Sequence, residues 1–146
     1  AGAKYSSTPG STEAGLQAFK NFYTDLGLDN SILKLVDASG ASHYNLITTN
    51  WMTQALCKLY NLPDFKVYEN TLVEPDEGTL KGRLLELKPV LKAKTGTLSG
   101  ISGLTGYLQS KSGKIYAFAI LIQNYKDSSG VAKELEDKIL LKLYEF

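Results

Sequence analysis

The chain has 146 residues, with 16 lysines and arginines set against 15 aspartates and glutamates. That length favours one domain with a real core, and the near balance of charge gives no global field for nucleic acid or an anionic membrane. The single cysteine, Cys57, excludes an intrachain disulfide, no Cys/His cluster could hold zinc, and no cofactor is expected.

Residues 1–10 are small and polar and read as a flexible lead-in to a domain over 11–146. They lack the charged-then-apolar pattern of a secretion signal. A helix is expected from Ser11, because Leu16, Phe19, Tyr23 and Leu26 recur every three or four residues and Gly27 offers a stop. Ser31–Val36 reads as a short strand, and Asp37–Asn45 as a polar, turn-rich loop. A second helix, capped near Thr49, would turn Trp51, Ala55, Leu56 and Leu59 inward, with Cys57 as a buried helix thiol. The stretch 61–88 is punctuated by Pro63, Pro75 and Gly78, with a short helix expected near Leu80–Leu85.

Three strands follow, over about residues 89–97, 101–110 and 114–124, the last two joined by the hairpin turn Ser110–Gly113. The apolar run Tyr116–Ile122 suits a strand and is far too short to span a bilayer. A helix over about 129–144 ends the chain, with Val131, Leu135, Ile139 and Leu143 along one stripe. Helices, then an antiparallel meander, then a helix define an α+β fold.

The segment with the most chemistry is Lys94-Thr95-Gly96-Thr97, at the end of the first predicted strand. Chance supplies a given triplet of this kind in roughly one chain of ten, so its context matters. Strand alternation places Lys92 and Lys94 on one face, Ala93 and Thr95 on the other. Lys94 could set a positive charge beside a serine hydroxyl and stabilise charge that develops in acyl transfer. The hydroxyls of Thr95 and Thr97 could bind a carboxylate. Gly96 would let a substrate backbone lie along the strand, and the Thr97 N–H could be an oxyanion donor.

A second candidate element is Ser42-His-Tyr-Asn45. Loop serines and asparagines commonly bond their own turn. The functional alternative is a proton-relay serine with an amide that positions substrate. His43, the one histidine, suggests a Ser/His pair, but a triad is defined by the geometry of its partners rather than by sequence, and His-based catalysis is the minor reading. Ser31-Ile-Leu-Lys34 has the letters S-x-x-K of a serine nucleophile and its lysine base, but in an extended segment positions three apart face opposite ways. It is rejected as the nucleophile.

These segments resemble the C-terminal part of the class C low-molecular-mass penicillin-binding proteins, the D-alanyl-D-alanine carboxypeptidase/endopeptidase family. Val36–Leu46 is similar to the family's D-G-S-G-L-S-x-x-N-L stretch, Asp76–Leu80 to its D-G-T-L turn, and Val90–Tyr107 to its K-T-G strand and the strand after it. Ala38 and Ala41 replace the usual glycine and leucine, and Ser42 and Asn45 stand three apart, a spacing that leaves open whether Ser42 or Ser39 faces the site.

The resemblance implies a β-lactamase/transpeptidase-like fold, incomplete here, with helices packed on an antiparallel sheet. It implies serine acyl-enzyme chemistry on peptidoglycan stem peptides ending in D-Ala-D-Ala, β-lactam binding and an extracytoplasmic location. Ser42, Asn45 and Lys94 would be catalytic, and Thr95, Gly96 and Thr97 substrate-binding. The S-x-x-K nucleophile would come from a missing upstream part of the chain, so the 146 residues alone would be inactive. Exposed sheet surface would favour self-association. A non-catalytic binding module and a β-lactamase-like acyl-transferase are the alternatives.

Overall fold

Ser11 starts the first helix as expected: its Oγ accepts the Ala14 N–H at 3.2 Å and caps α1, Thr12–Asp25. The computed structural model describes Lys4, residues 10–126 and residues 128–146. They divide into two compact units, one up to Ala55 and one from Leu56. The expected lead-in over 1–10 lies outside the described residues except for Lys4 and Gly10.

In the first unit α1 stops at Leu26, and Gly27 follows with φ 80°, a left-handed conformation that glycine adopts without a Cβ penalty. Phe19, Tyr23 and Leu26 pack on a core of Leu28, Leu33, Trp51 and Ala55. The Tyr23 and Trp51 rings meet edge to face at 4.9 Å, a favourable quadrupole arrangement. The strand expected over Ser31–Val36 shrinks to one antiparallel bridge, Lys34 with Leu46. Side-chain acceptors take the backbone donors at both ends: Ser31 N–H goes to Asp29 and Val36 N–H to Asn45, each at 2.8 Å. A ladder cannot extend through donors already used.

The next helix, α2, runs Thr49–Tyr60, and Thr48 Oγ1 accepts the Trp51 N–H at 3.1 Å. Trp51, Ala55, Leu56 and Leu59 are all buried, as their spacing predicts. Cys57 is exposed rather than buried. It lies about 100° round the helix from Leu56, off the apolar stripe.

The second unit contains a short helix that the sequence did not announce, α3 (Phe65–Glu69). Its Phe65 and Tyr68 pack beside Leu56, Leu72 and Tyr107. No helix forms over Leu80–Leu85. Two 3-10 turns, Gly78–Leu80 and Leu85–Leu87, flank it instead, because Gly82 and Leu84 adopt φ of 72° and 54° and left-handed residues break a right-handed helix.

Three antiparallel strands follow in the order β1–β2–β3: Leu91–Leu98, Ile101–Gln109 and Ile115–Gln123. One face carries Leu91, Ala93, Leu104, Leu108 and Phe118 into a core shared with Leu80, Leu87 and Leu140. Leu140 belongs to the last helix, α4 (Ser129–Tyr144). The stripe on α4 is a correction. Val131, Leu135 and Ile139 are exposed, Leu143 alone of the four packs against the core, and the buried residues are Ala132, Glu136 and Leu140, one position further on. Apolar periodicity could not find a buried stripe centred on a carboxylate. Among the described residues, no helix is long and apolar enough to cross a membrane.

Candidate active site

Strand β1 presents its two sides differently, and its register explains how. Ala93 exchanges both backbone hydrogen bonds with Val73, at 2.9 and 3.0 Å. Its N–H and C=O therefore point away from β2. In an antiparallel ladder this direction repeats every second residue, so the backbone groups of Thr95 and Thr97 point to the same outer edge. Among the described residues that edge is bridged at Ala93 alone. Lys92, Lys94 and Gly96 are tied to β2 opposite Tyr107, Thr105 and Gly103.

Side chains follow the predicted alternation. Leu91 and Ala93 are buried and Lys94 is exposed. Lys94 Nζ donates to the Thr95 carbonyl at 2.6 Å, so the ammonium lies at the outer edge. Thr95 Oγ1 donates to Thr79 Oγ1 at 2.7 Å. A Cβ added at Gly96 would have no atom within 4 Å, so the strand can be approached closely there. Lys92 is paired with Glu74 at 2.5 Å. That hydrogen bond and the lysine's charge hold the Glu74 carboxyl below the usual glutamate range.

Sequence reasoning missed Thr79 as a contact of Thr95, although it lies inside the Asp76–Leu80 turn on which the resemblance rests. It missed the Lys92–Glu74 pair entirely; a lysine two before Lys94 was the only available signal.

Ser42 and Asn45 sit together in the loop of the first unit. Asn45 Oδ1 accepts the Val36 and Asp37 N–H groups at 2.8 and 3.3 Å, and its Nδ2 donates to Asp37 at 3.2 Å. Asp37 Oδ1 also accepts from Ser39 N–H, Ser39 Oγ and Gly40 N–H. Ser39 thus gives its hydroxyl proton to Asp37. Ser42 Oγ accepts the Tyr44 N–H at 3.1 Å, and among the described residues it donates to no partner. Ser31 lies in a turn and Lys34 in the isolated bridge, so no helix sets them one turn apart.

The Ser39 hydroxyl, then Asn45 and the Ser39 and Gly40 amides, hold the Asp37 carboxyl below the usual aspartate range. A folded value below the unfolded one stabilises the loop above the unfolded pKa and loses that contribution as pH falls through the folded value. The loop is therefore expected to keep its bonds at neutral pH and to open only in acid, below about 3.9. An NMR pH titration should show the Gly40 amide and Asn45 side-chain signals moving together in that acid window. Signals that move near neutrality, or separately, would contradict the shared acceptor.

Comparison with solved structures defines the class. Penicillin binding protein 4 from Haemophilus influenzae is similar over 96% of this chain and 34% of its own, with 26% identity and a TM-score of 0.83. The TLA-3 extended-spectrum beta-lactamase shares the fold alone, at 22% identity and a TM-score of 0.68 over 93% of this chain and 55% of its own. The fold is thus the β-lactamase/transpeptidase-like one, represented in part: a three-stranded antiparallel sheet with helices.

The D-Ala-D-Ala carboxypeptidase 3 (S13) family matches residues 1–143, and the chain belongs to that family. The D-alanyl-D-alanine carboxypeptidase of Actinomadura sp. strain R39 is 31% identical over 145 residues, which cover 94% of this chain. The chain spans 26% of that relative's length.

Proposed function

We propose that these residues form the sheet side of a serine D-Ala-D-Ala carboxypeptidase/endopeptidase site, completed by an S-x-x-K serine and lysine supplied from outside residues 1–146. The observation that carries this reading is the outer edge of β1. There the Thr95 and Thr97 backbone groups and the Lys94 ammonium face one side, and Gly96 between the threonines adds no side chain to obstruct close approach. A stem peptide ending in D-Ala-D-Ala can add to that edge as an extra strand, with main-chain bonds for affinity; Lys94 and the Thr97 hydroxyl would take its terminal carboxylate, and Thr95 would join them by turning its hydroxyl proton from Thr79.

The serine oxygen attacks the penultimate D-Ala carbonyl, and the Thr97 N–H takes a share of the oxyanion charge. The C–N bond breaks, D-Ala leaves with a proton, and water then hydrolyses the acyl-enzyme. Ser42 suits the proton relay better than Ser39, because its hydroxyl proton is not given to Asp37. Asn45 closes the loop and keeps one Nδ2 hydrogen beyond that given to Asp37. The β-lactam ring is a substrate mimic for the same edge, and peptidoglycan chemistry places the protein on the extracytoplasmic side. A binding role without catalysis is the second reading. It draws on the Asn45 amide, most of whose bonding serves its own loop.

Fluorescent-penicillin labelling tests both. Labelling is expected for a polypeptide that includes the S-x-x-K serine and not for residues 1–146 alone. No labelling of either would favour the binding module. Labelling of the 146 residues that disappears in Ser31→Ala would overturn the assignment of the nucleophile.

A further inference from the structure

The buried residues of α4 include a carboxylate that the proposed chemistry does not use. Glu136 is 0% exposed. Its Oε1 accepts from Ser102 Oγ at 2.7 Å and its Oε2 from Arg83 Nη2 at 2.9 Å. Ser102 is itself 1% exposed. Arg83 also binds Asp137 through Nη2 and Nε, at 2.7 and 3.2 Å, and the Lys133 carbonyl through Nη2 at 3.2 Å. Burial opposes the guanidinium's charge, but its bonds to Asp137 and Glu136 and their charges outweigh that and raise its pKa.

Both partners of Glu136 lead to the outer edge of β1. Ser102 is the ladder partner of Thr97. Arg83 N–H bonds the Leu80 carbonyl at 3.0 Å, which ties it to the turn whose Thr79 hydroxyl meets Thr95. One buried, doubly bonded carboxylate therefore joins the strand behind Thr97 to the turn beside Thr95. A buried ion pair is often no more stabilising than an apolar replacement of the same volume. What the pair supplies that an apolar contact cannot is direction, since each carboxylate oxygen fixes one donor.

We propose that Glu136 is a positioning residue: acting through Ser102 and Arg83, it fixes the Thr97 N–H and the Thr95 hydroxyl in the geometry the acyl-transfer edge needs. The effect on acylation rests on the function proposed above, whereas the effect on the strand does not. Hydrogen exchange and acylation therefore test them separately. In the full chain, Glu136→Gln and Ser102→Ala should speed amide exchange across residues 95–103 about tenfold, with Ile115–Gln123 unchanged within about threefold. Ser102→Thr, which keeps the hydroxyl, should restore the wild-type pattern. Ser102→Ala leaves the Arg83–Glu136 pair in place and remains informative where Glu136→Gln does not fold.

In a polypeptide that carries the serine, the acylation rate constant for penicillin should fall about tenfold in both variants, with prior binding of penicillin changed less than about threefold. Unchanged exchange at 95–103, or faster exchange in both segments alike, overturns the positioning role. Localised exchange with a wild-type acylation rate overturns its link to catalysis. Localised exchange with a wild-type protein that penicillin never acylates supports the positioning role and sinks the proposed function instead.

Discussion

Replacing Lys94 with alanine is expected to slow acylation by penicillin about 10²- to 10³-fold in a polypeptide that includes the nucleophile, the loss typical of removing one preorganised stabilising group. The unfolding midpoint should stay where it is. Both expectations come from the same geometry. The side chain is exposed, and its ammonium donates to Thr95 O on the same strand. It therefore contributes nothing to the core and stands at the edge where the proposed acyl transfer would develop charge. The neighbouring Lys92 cannot take its place, because its ammonium is held by Glu74. Stopped-flow acylation and a thermal melt on the same samples would check both. Near-normal acylation in Lys94→Ala, or a large fall in the melting midpoint, would remove Lys94 from the proposed chemistry.

Periodicity made much of this fold legible. The faces of α1 and α2 follow their apolar spacing because each packs one stripe on a local core, Phe19 and Tyr23 beside Trp51 and Ala55. The strands were readable for the same reason: alternation separates Ala93 from Lys94. Two failures came where a polar contact outranked the apolar pattern. In α4 the carboxylate of Glu136 faces inward because Arg83 and Ser102 meet it there, and Val131, Leu135 and Ile139 are turned outward. Those partners lie 53 and 34 residues away, so no local window contains the signal. The strand expected at Ser31–Val36 failed likewise, because Asp29 and Asn45 take its donors.

The candidate site divides in the same way. Lys94, Thr95 and Gly96 were readable as letters. That their strand is an edge depends on a bridge from Val73, 20 residues upstream of Ala93, which no motif encodes.

The register behind that edge gives a prediction about stability. A Cβ added at Gly106 would lie 2.1 Å from the Lys92 carbonyl oxygen and 2.7 Å from Ala93 Cα. Both are backbone atoms, so no rotamer change relieves the clash, and β1 would have to part from β2. Gly106→Ala is therefore expected to destabilise the protein by at least about 3 kcal/mol, the upper range for overpacking and a large share of a typical domain's stability. Gly103 offers the internal control. It sits on the same strand, and its added Cβ meets ordinary contacts at 3.5 and 3.6 Å. Gly103→Ala should shift stability by less than about 1 kcal/mol. Urea unfolding followed by circular dichroism would measure both. A wild-type midpoint for Gly106→Ala would mean that Ala93 does not pair with Gly106. That result would reach the site, because a slip of one residue exchanges the two faces of a strand. Lys94 would then turn toward the core, and the outer-edge backbone groups would belong to Lys94 and Gly96 instead of Thr95 and Thr97.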